Sequence, residues 1–161
     1  MPEGTPLAAG ERVLLVIIRK PLIVATDRAL LQQGCDGSGW YRLGWQAIDD
    51  VHFDGRSGVV TLLAPRANRP RLTIRLNGHS ALGNGALPRR ARALIDLIHE
   101  RVDSTILLNH RAQILGGAIR IVARREPGTG RVEWIVGHQD HRTTRDQIAA
   151  AIDELRILTG L

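Results

Sequence analysis

The sequence predicts an α+β fold, mainly antiparallel β: a rolled barrel of about seven strands capped by one helix, followed by a βββα extension. Three observations lead to it. From Arg12 to Leu76 the hydrophobic period is close to two, with Gly, Asp and Pro turns between short runs. At Pro88 the period changes abruptly to that of a helix, with no strand signal between. Beyond Asp103 the strand pattern returns and leads into a second helical segment. A curled antiparallel sheet leaves an open end, and a helix with one apolar face suits it as a plug.

The first strand spans Arg12 to Arg19, and Pro21 breaks the run. Leu22 to Thr26 and Ala29 to Gln32 follow, joined by the tight turn Asp27-Arg28. A glycine-rich loop through Gly39 leads to Trp40-Tyr41-Arg42-Leu43-Gly44-Trp45. Alternation there sets Trp40, Arg42 and Gly44 on one face and Tyr41, Leu43 and Trp45 on the other. Ile48 to Phe53 is next, then the hairpin turn Asp54-Gly55-Arg56-Ser57-Gly58, then Val59 to Leu63. A longer loop holding Pro65 and Pro70 precedes Leu72-Thr73-Ile74-Arg75-Leu76, where apolar and polar residues alternate cleanly. Trp40, Trp45 and Trp134 are expected to anchor the core, with Tyr41 and Phe53 in the same cluster.

Asn77 to Leu87 reads as a glycine-rich linker, and Pro88 fits a first helical turn, where its missing donor costs nothing. Ala91, Leu94, Ile95, Ile98 and Val102 form one apolar stripe, with Arg89, Arg92, Asp96 and Glu100 opposite. Thr105 to Leu108, continuing to Ile114, then Ala118 to Arg124 and Val132 to Val136 are the later strands. Arg120, Val122 and Arg124 alternate with Ile119, Ile121 and Ala123, which implies one wet face. The last helix starts at Thr144, where Thr144 and Gln147 fit a capping box. Its expected buried stripe is Ile148, Ala151, Ile152, Leu155 and Leu158. The organisation is therefore a loose leader over residues 1–10, a barrel with its helix over 11–103, and the extension over 104–161.

Composition narrows the function classes. The 161 residues suit one domain or one domain with an appended subdomain, and 43% hydrophobic content supplies a core. The longest apolar run, Val13 to Ile18, is far short of the roughly 20 residues of a membrane helix. It follows the acidic Glu11 rather than a basic cluster, so a soluble, unexported, cytoplasmic chain is expected. Cys35 is the single cysteine, which excludes an internal disulfide and a cysteine-based zinc site within one chain. The net charge of +6 comes from arginine almost throughout, since Lys20 is the one lysine. That excess is shared evenly by the two halves of the chain, with no basic tail.

No catalytic constellation emerges. Gly78-His79-Ser80 resembles the start of a nucleophile elbow, but Leu82 stands where the motif needs its second glycine. His138-Gln139-Asp140-His141 gathers two imidazoles and a carboxylate without a third spaced ligand, His52 and His110 being unplaced contributors. Asp49, Asp50 and Asp54 lack the spacing of a calcium loop. The glycines of residues 78–85 lack the ending of a phosphate loop, so no cofactor is expected. What remains is a set of arginines: Arg66, Arg69 and Arg71 around two prolines, Arg89, Arg90 and Arg92 opening the first helix, and Arg124 with Arg125 at a strand end. Converging in space, these would form a binding surface for a phosphate backbone. Arg89 and Arg90 also oppose the helix dipole, a cost that a partner would justify.

Ala25-Thr26-Asp27-Arg28-Ala29-Leu30, followed by Gly39-Trp40-Tyr41-Arg42-Leu43-Gly44-Trp45-Gln46-Ala47-Ile48, resembles a bacterial pleckstrin-homology-like domain. Glu100-Arg101-Val102-Asp103-Ser104-Thr105, Ile121 to Gly128 and Val132-Glu133-Trp134 resemble an uncharacterised family of short actinobacterial proteins. The resemblance covers roughly residues 10–158 and implies a ligand- or partner-binding module. Phosphoinositide binding is not carried over, because Leu22-Ile23-Val24-Ala25 offers no basic residue toward a phosphate. The expectation is a non-enzymatic binding or scaffold module whose partner is another protein or a second copy of itself. Nucleic-acid binding through converging arginines is the alternative.

Overall fold

The protein is described by a computed structural model covering residues 4–18, 21–34, 39–54, 58–63, 72–76, 89–114, 117–137 and 144–161. It is an α+β chain in which the described strands pair antiparallel in three sheets, accompanied by two helices. The chain divides into two compact units, Met1–Asp103 and Ser104–Leu161.

In the first unit, β1 (Val13–Ile17), β2 (Ile23–Thr26), β3 (Ala29–Gln33) and β4 (Trp40–Gly44) form a meander in sequence order. A 3₁₀ turn, Trp45–Ala47, follows. A second meander holds β5 (Asp50–Asp54), β6 (Val59–Leu63) and β7 (Leu72–Arg75). The helix α1 runs Arg89–Thr105. The expected strand Ile48 to Phe53 thus starts later than its apolar residues suggest. Ile48 instead closes the 3₁₀ turn, its N–H donating to the Trp45 carbonyl at 3.2 Å. A register shift in β1 between Val13 and Leu15 leaves Leu14 exposed beside inward-facing neighbours.

Alternation places the core residues. Val60 and Leu62 of β6, and Leu72 and Ile74 of β7, point inward while Thr73 and Arg75 point out. Ala91, Leu94, Ile98 and Val102 of α1 pack into the same cluster, and Ile95 is half-buried against it. Each fully buried aliphatic side chain contributes about 1.5–3 kcal/mol of transfer free energy, so the stripe fixes which side of α1 faces in. Trp45 is completely buried and donates Nε1–H to the Thr26 carbonyl at 3.1 Å. Tyr41 and Phe53 pack against this cluster as expected, whereas Trp40 does not join it.

At the β5–β6 connection the Gly58 N–H donates to the Asp54 carbonyl at 2.8 Å, and Gly58 sits at φ 64°, a conformation that only glycine adopts freely. Pro88, the loop with Pro65 and Pro70, and the linker Asn77 to Leu87 lie outside the described residues.

In the second unit, β8 (Ile106–Ile114), β9 (Gly117–Arg125) and β10 (Val132–Gly137) form a sheet in the order β10-β9-β8. The helix α2 (Arg145–Thr159) follows. Its start is the capping box read from the sequence, with Thr144 Oγ1 accepting from Gln147 N–H and Gln147 Oε1 accepting from Thr144 N–H. Its end is Gly160 in the left-handed region at φ 68°. Ile119, Ile121 and Leu155 are the buried centre of a separate cluster, which Ile148, Ala151, Ile152 and Trp134 complete.

Three expectations need correction here. Trp134 belongs to this second cluster, not to that of Trp45, because long-range pairing rather than aromatic type decides which core a tryptophan enters. Leu158 is 71% exposed, since among the described residues the sheet ends at β8 and no further strand covers the last turn of α2. The wet face of β9 reduces to Arg120, whose Nε donates to Asn109 Oδ1 at 3.0 Å. Val122 and Arg124 on that face are buried.

Candidate functional site

The eight arginines set out by the sequence do not form one described surface. Arg66, Arg69 and Arg71 lie outside the described residues. Arg89, Arg90 and Arg92 are exposed on the first turn of α1. Arg124 is 1% exposed, with Nη1 3.5 Å from Thr105 Oγ1, while Arg125 beside it points to solvent. Arg124 is therefore corrected from a surface cation to an interior one, buried although it shares the face of β9 that exposes Arg120.

The structure does bring Arg89 and Arg90 together with a residue the sequence left out, Arg75 at the end of β7. They rim a cavity of about 250 Å³ whose walls include Ile17, Ile18 and Ile23. Ile18 is an unusually open aliphatic at 76% exposure.

A second polar constellation escaped the sequence reading. Glu11 is buried, and Arg42 grips its carboxylate in a two-pronged pair, Nη1 to Oε2 at 3.0 Å and Nη2 to Oε1 at 2.9 Å. Ala8 N–H donates to Oε2 at 2.8 Å, and the Thr26 hydroxyl donates to Oε1. Thr26 Oγ1 in turn accepts from the N–H groups of Arg28 and Ala29, at 3.1 and 2.9 Å, closing the turn between β2 and β3. Beside it Arg12 pairs with Asp27 through its backbone N–H at 2.9 Å and its Nε at 3.2 Å.

Burial pushes the Glu11 carboxyl up. The hydrogen bonds from Arg42, Thr26 and Ala8, with the Arg42 charge, outweigh it and hold the group below its ordinary 4.5. Asp27 is likewise held below its ordinary 3.8, burial being outweighed by the Arg12 bonds and the charges of Arg12 and Arg28. A carboxylate kept ionised and fully bonded has no proton to give and no lone pair free to take one. The cluster locks a turn; it does not present reactive groups.

Cys35, His79, Ser80, His138, Asp140 and His141 lie outside the described residues, and among the described residues no group of three or more His, Cys, Asp or Glu is placed to hold a metal ion. Among the described residues no helix is long and apolar enough to cross a membrane.

The most distinctive surface is in the second unit. β8 is the longest edge strand among the described residues, and its centre, Asn109, His110 and Arg111, is exposed. Beside it runs a groove of about 570 Å³ between β8 and α2, lined by His110, Ala112, Ile114, Ala151, Leu155 and Leu158. Past the groove, Ile157 stands 84% exposed. An unpaired strand edge offers a row of N–H and C=O groups, and the groove adds an apolar flank, so this face suits another strand carrying apolar side chains. The available sequence signal was the polar interruption Asn109-His110-Arg111 inside an otherwise apolar strand. Comparison with family models, curated proteins and solved structures found no match to this chain.

Proposed function

We propose that the chain is a non-enzymatic, cytoplasmic binding or scaffold module. In this reading residues 11–103 form a pleckstrin-homology-like barrel plugged by α1, and residues 104–161 form a βββα extension. The barrel assignment is supported by two consecutive antiparallel meanders that share one core with α1. The observation that carries the function is the open edge of β8 with its apolar groove against α2. Such a surface engages a protein by adding a strand to the sheet, not by transforming a substrate.

The test is affinity isolation of the full chain from its native cell, alongside a chain with Ile157→Asp and Leu158→Asp. Both positions are largely in solvent, so the fold is expected to persist. A defined protein, or the chain itself, is expected to come with the unaltered chain and to be lost with the double variant. Equal recovery by the two, or nothing beyond background, sinks the reading.

The second reading, nucleic-acid binding, is favoured by one observation, the grouping of Arg75, Arg89 and Arg90 around a single cavity. Phosphate contacts make affinity fall steeply with salt. A titration against random duplex and single-stranded DNA that shows no binding even at low salt removes this alternative.

A further inference from the structure

The cavity rimmed by Arg75, Arg89 and Arg90 joins two kinds of surface. Its floor belongs to the core of the first unit: Ile17 and Ile23 stand opposite each other across the β1–β2 pair, and Leu76 follows the end of β7. Its mouth holds Ile18 and the three arginines, all exposed. Among the described residues no acidic side chain lines it, and none of the three guanidinium groups has a hydrogen-bond or ion-pair partner. On this basis we infer that the cavity binds a single-chain amphiphile, an aliphatic tail ending in a compact anion, either a carboxylate or a phosphate monoester. The inference is independent of the β8 edge and goes beyond it.

Each half of such a ligand meets a matching surface. A guanidinium presents paired, planar donors that fit the oxygens of a carboxylate or a phosphate. Arg89 and Arg90 stand in the first turn of α1, which carries no acidic residue, so their charges add to the positive end of the helix dipole. That arrangement disfavours the helix alone and favours a bound anion. The tail covers Ile18, which the protein by itself leaves 76% exposed, and continues the apolar floor. At about 30 Å³ for each water-sized group, the cavity of about 250 Å³ takes roughly eight carbons.

The apolar floor separates this ligand from a nucleic-acid backbone. A phosphate backbone would use the three cations and leave Ile17, Ile18 and Ile23 without an apolar partner. Among the described residues no aromatic side chain lines the cavity to stack a base. An aliphatic tail instead gains about fourfold in affinity for each methylene taken from water. Tail and headgroup joined in one molecule must therefore bind far better than either part alone.

The test is calorimetric titration of the purified full chain with octanoate and with octyl phosphate, each kept below its micelle threshold. At least one is expected to bind, and the tighter of the two names the headgroup. Octanol and inorganic phosphate, the separate halves, are expected to bind at least about tenfold more weakly. Shortening the tail from eight carbons to six is expected to cost about sixteenfold. Arg89→Gln with Arg90→Gln is expected to weaken binding at least about tenfold while the melting transition stays or rises, because charges that oppose the dipole are gone. Ile18→Asp is expected to weaken it as much with melting unchanged, since that side chain is already in solvent. Binding of neither amphiphile, binding that inorganic phosphate equals, or binding indifferent to these variants overturns the inference. Capture of random duplex DNA, or of phosphatidylglycerol vesicles, by a chain that takes neither soluble amphiphile also overturns it, in favour of nucleic acid or of a membrane surface respectively. The chain with Ile157→Asp and Leu158→Asp is expected to bind the amphiphile unchanged, so this inference and the β8 reading fail separately.

Discussion

Glu11 illustrates how far a single residue can depart from what its neighbours in sequence announce. It precedes an apolar run and reads as a solubilising charge, yet it is buried under Arg42, Thr26 and Ala8. Removing one member of a buried ion pair leaves the other charge stranded, at about 3–5 kcal/mol when both are fully buried. Arg42 is partly in solvent, so Arg42→Met is expected to cost about 2 kcal/mol, read as a lower midpoint in urea with an unchanged slope.

The same cluster sets an acid dependence. The folded-state carboxyls of Glu11 and Asp27 titrate below their ordinary values, so their contribution is complete above the unfolded values and is lost as pH falls through the folded ones. Stability is therefore expected to decline below about pH 4.5, the ordinary Glu value. Arg42→Met should make that decline shallower, and an acid limb as steep as in the unaltered chain would refute the assignment. Trp45, fully buried with its N–H satisfied, is the counterpart that the sequence made plain. Trp45→Ala is expected to cost about 3–5 kcal/mol in the same denaturation experiment.

Among elements, those with strong local signals stand close to where the pattern puts them. β6 occupies Val59–Leu63 because a short β-branched and apolar run stands between turn residues, with Val60 and Leu62 buried. α1 buries Ala91, Leu94, Ile98 and Val102 because spacings of three and four bring them onto one face. Replacing Ile98 by Ala is expected to cost about 2–5 kcal/mol, with a melting point lowered to match. At α2, Thr144→Ala deletes one arm of the capping box and is expected to cost about 1 kcal/mol, seen as faster amide exchange in the first turn. Where several competing contacts decide, the local pattern is a poorer guide. Ile48 is apolar and strand-like, but a 3₁₀ turn takes it; Leu158 is in phase with a buried stripe, but the sheet ends before reaching it.

For the whole molecule, the balance between charge and edge is the issue. A net charge of +6 suggests an electrostatic partner, and the arginines described are mostly dispersed along exposed helix and strand positions. The β8 edge instead offers backbone groups and apolar cover. Binding through that edge is accordingly expected to hold as salt rises, because backbone hydrogen bonds and apolar burial are not weakened by charge screening. A partner released steeply as salt rises would point to the arginines instead.

Element order, the two helices, the apolar face of α1 and the capping box were all determined by the sequence alone, since each depends on residues within a few positions of one another. The tertiary structure alone decided that Glu11 meets Arg42, that Trp134 enters a different core from Trp45, that Arg124 is buried, and that β8 is an edge strand among the described residues. These outcomes depend on which distant strands pair, and that choice is set by the burial of whole faces rather than by the preference of any single segment.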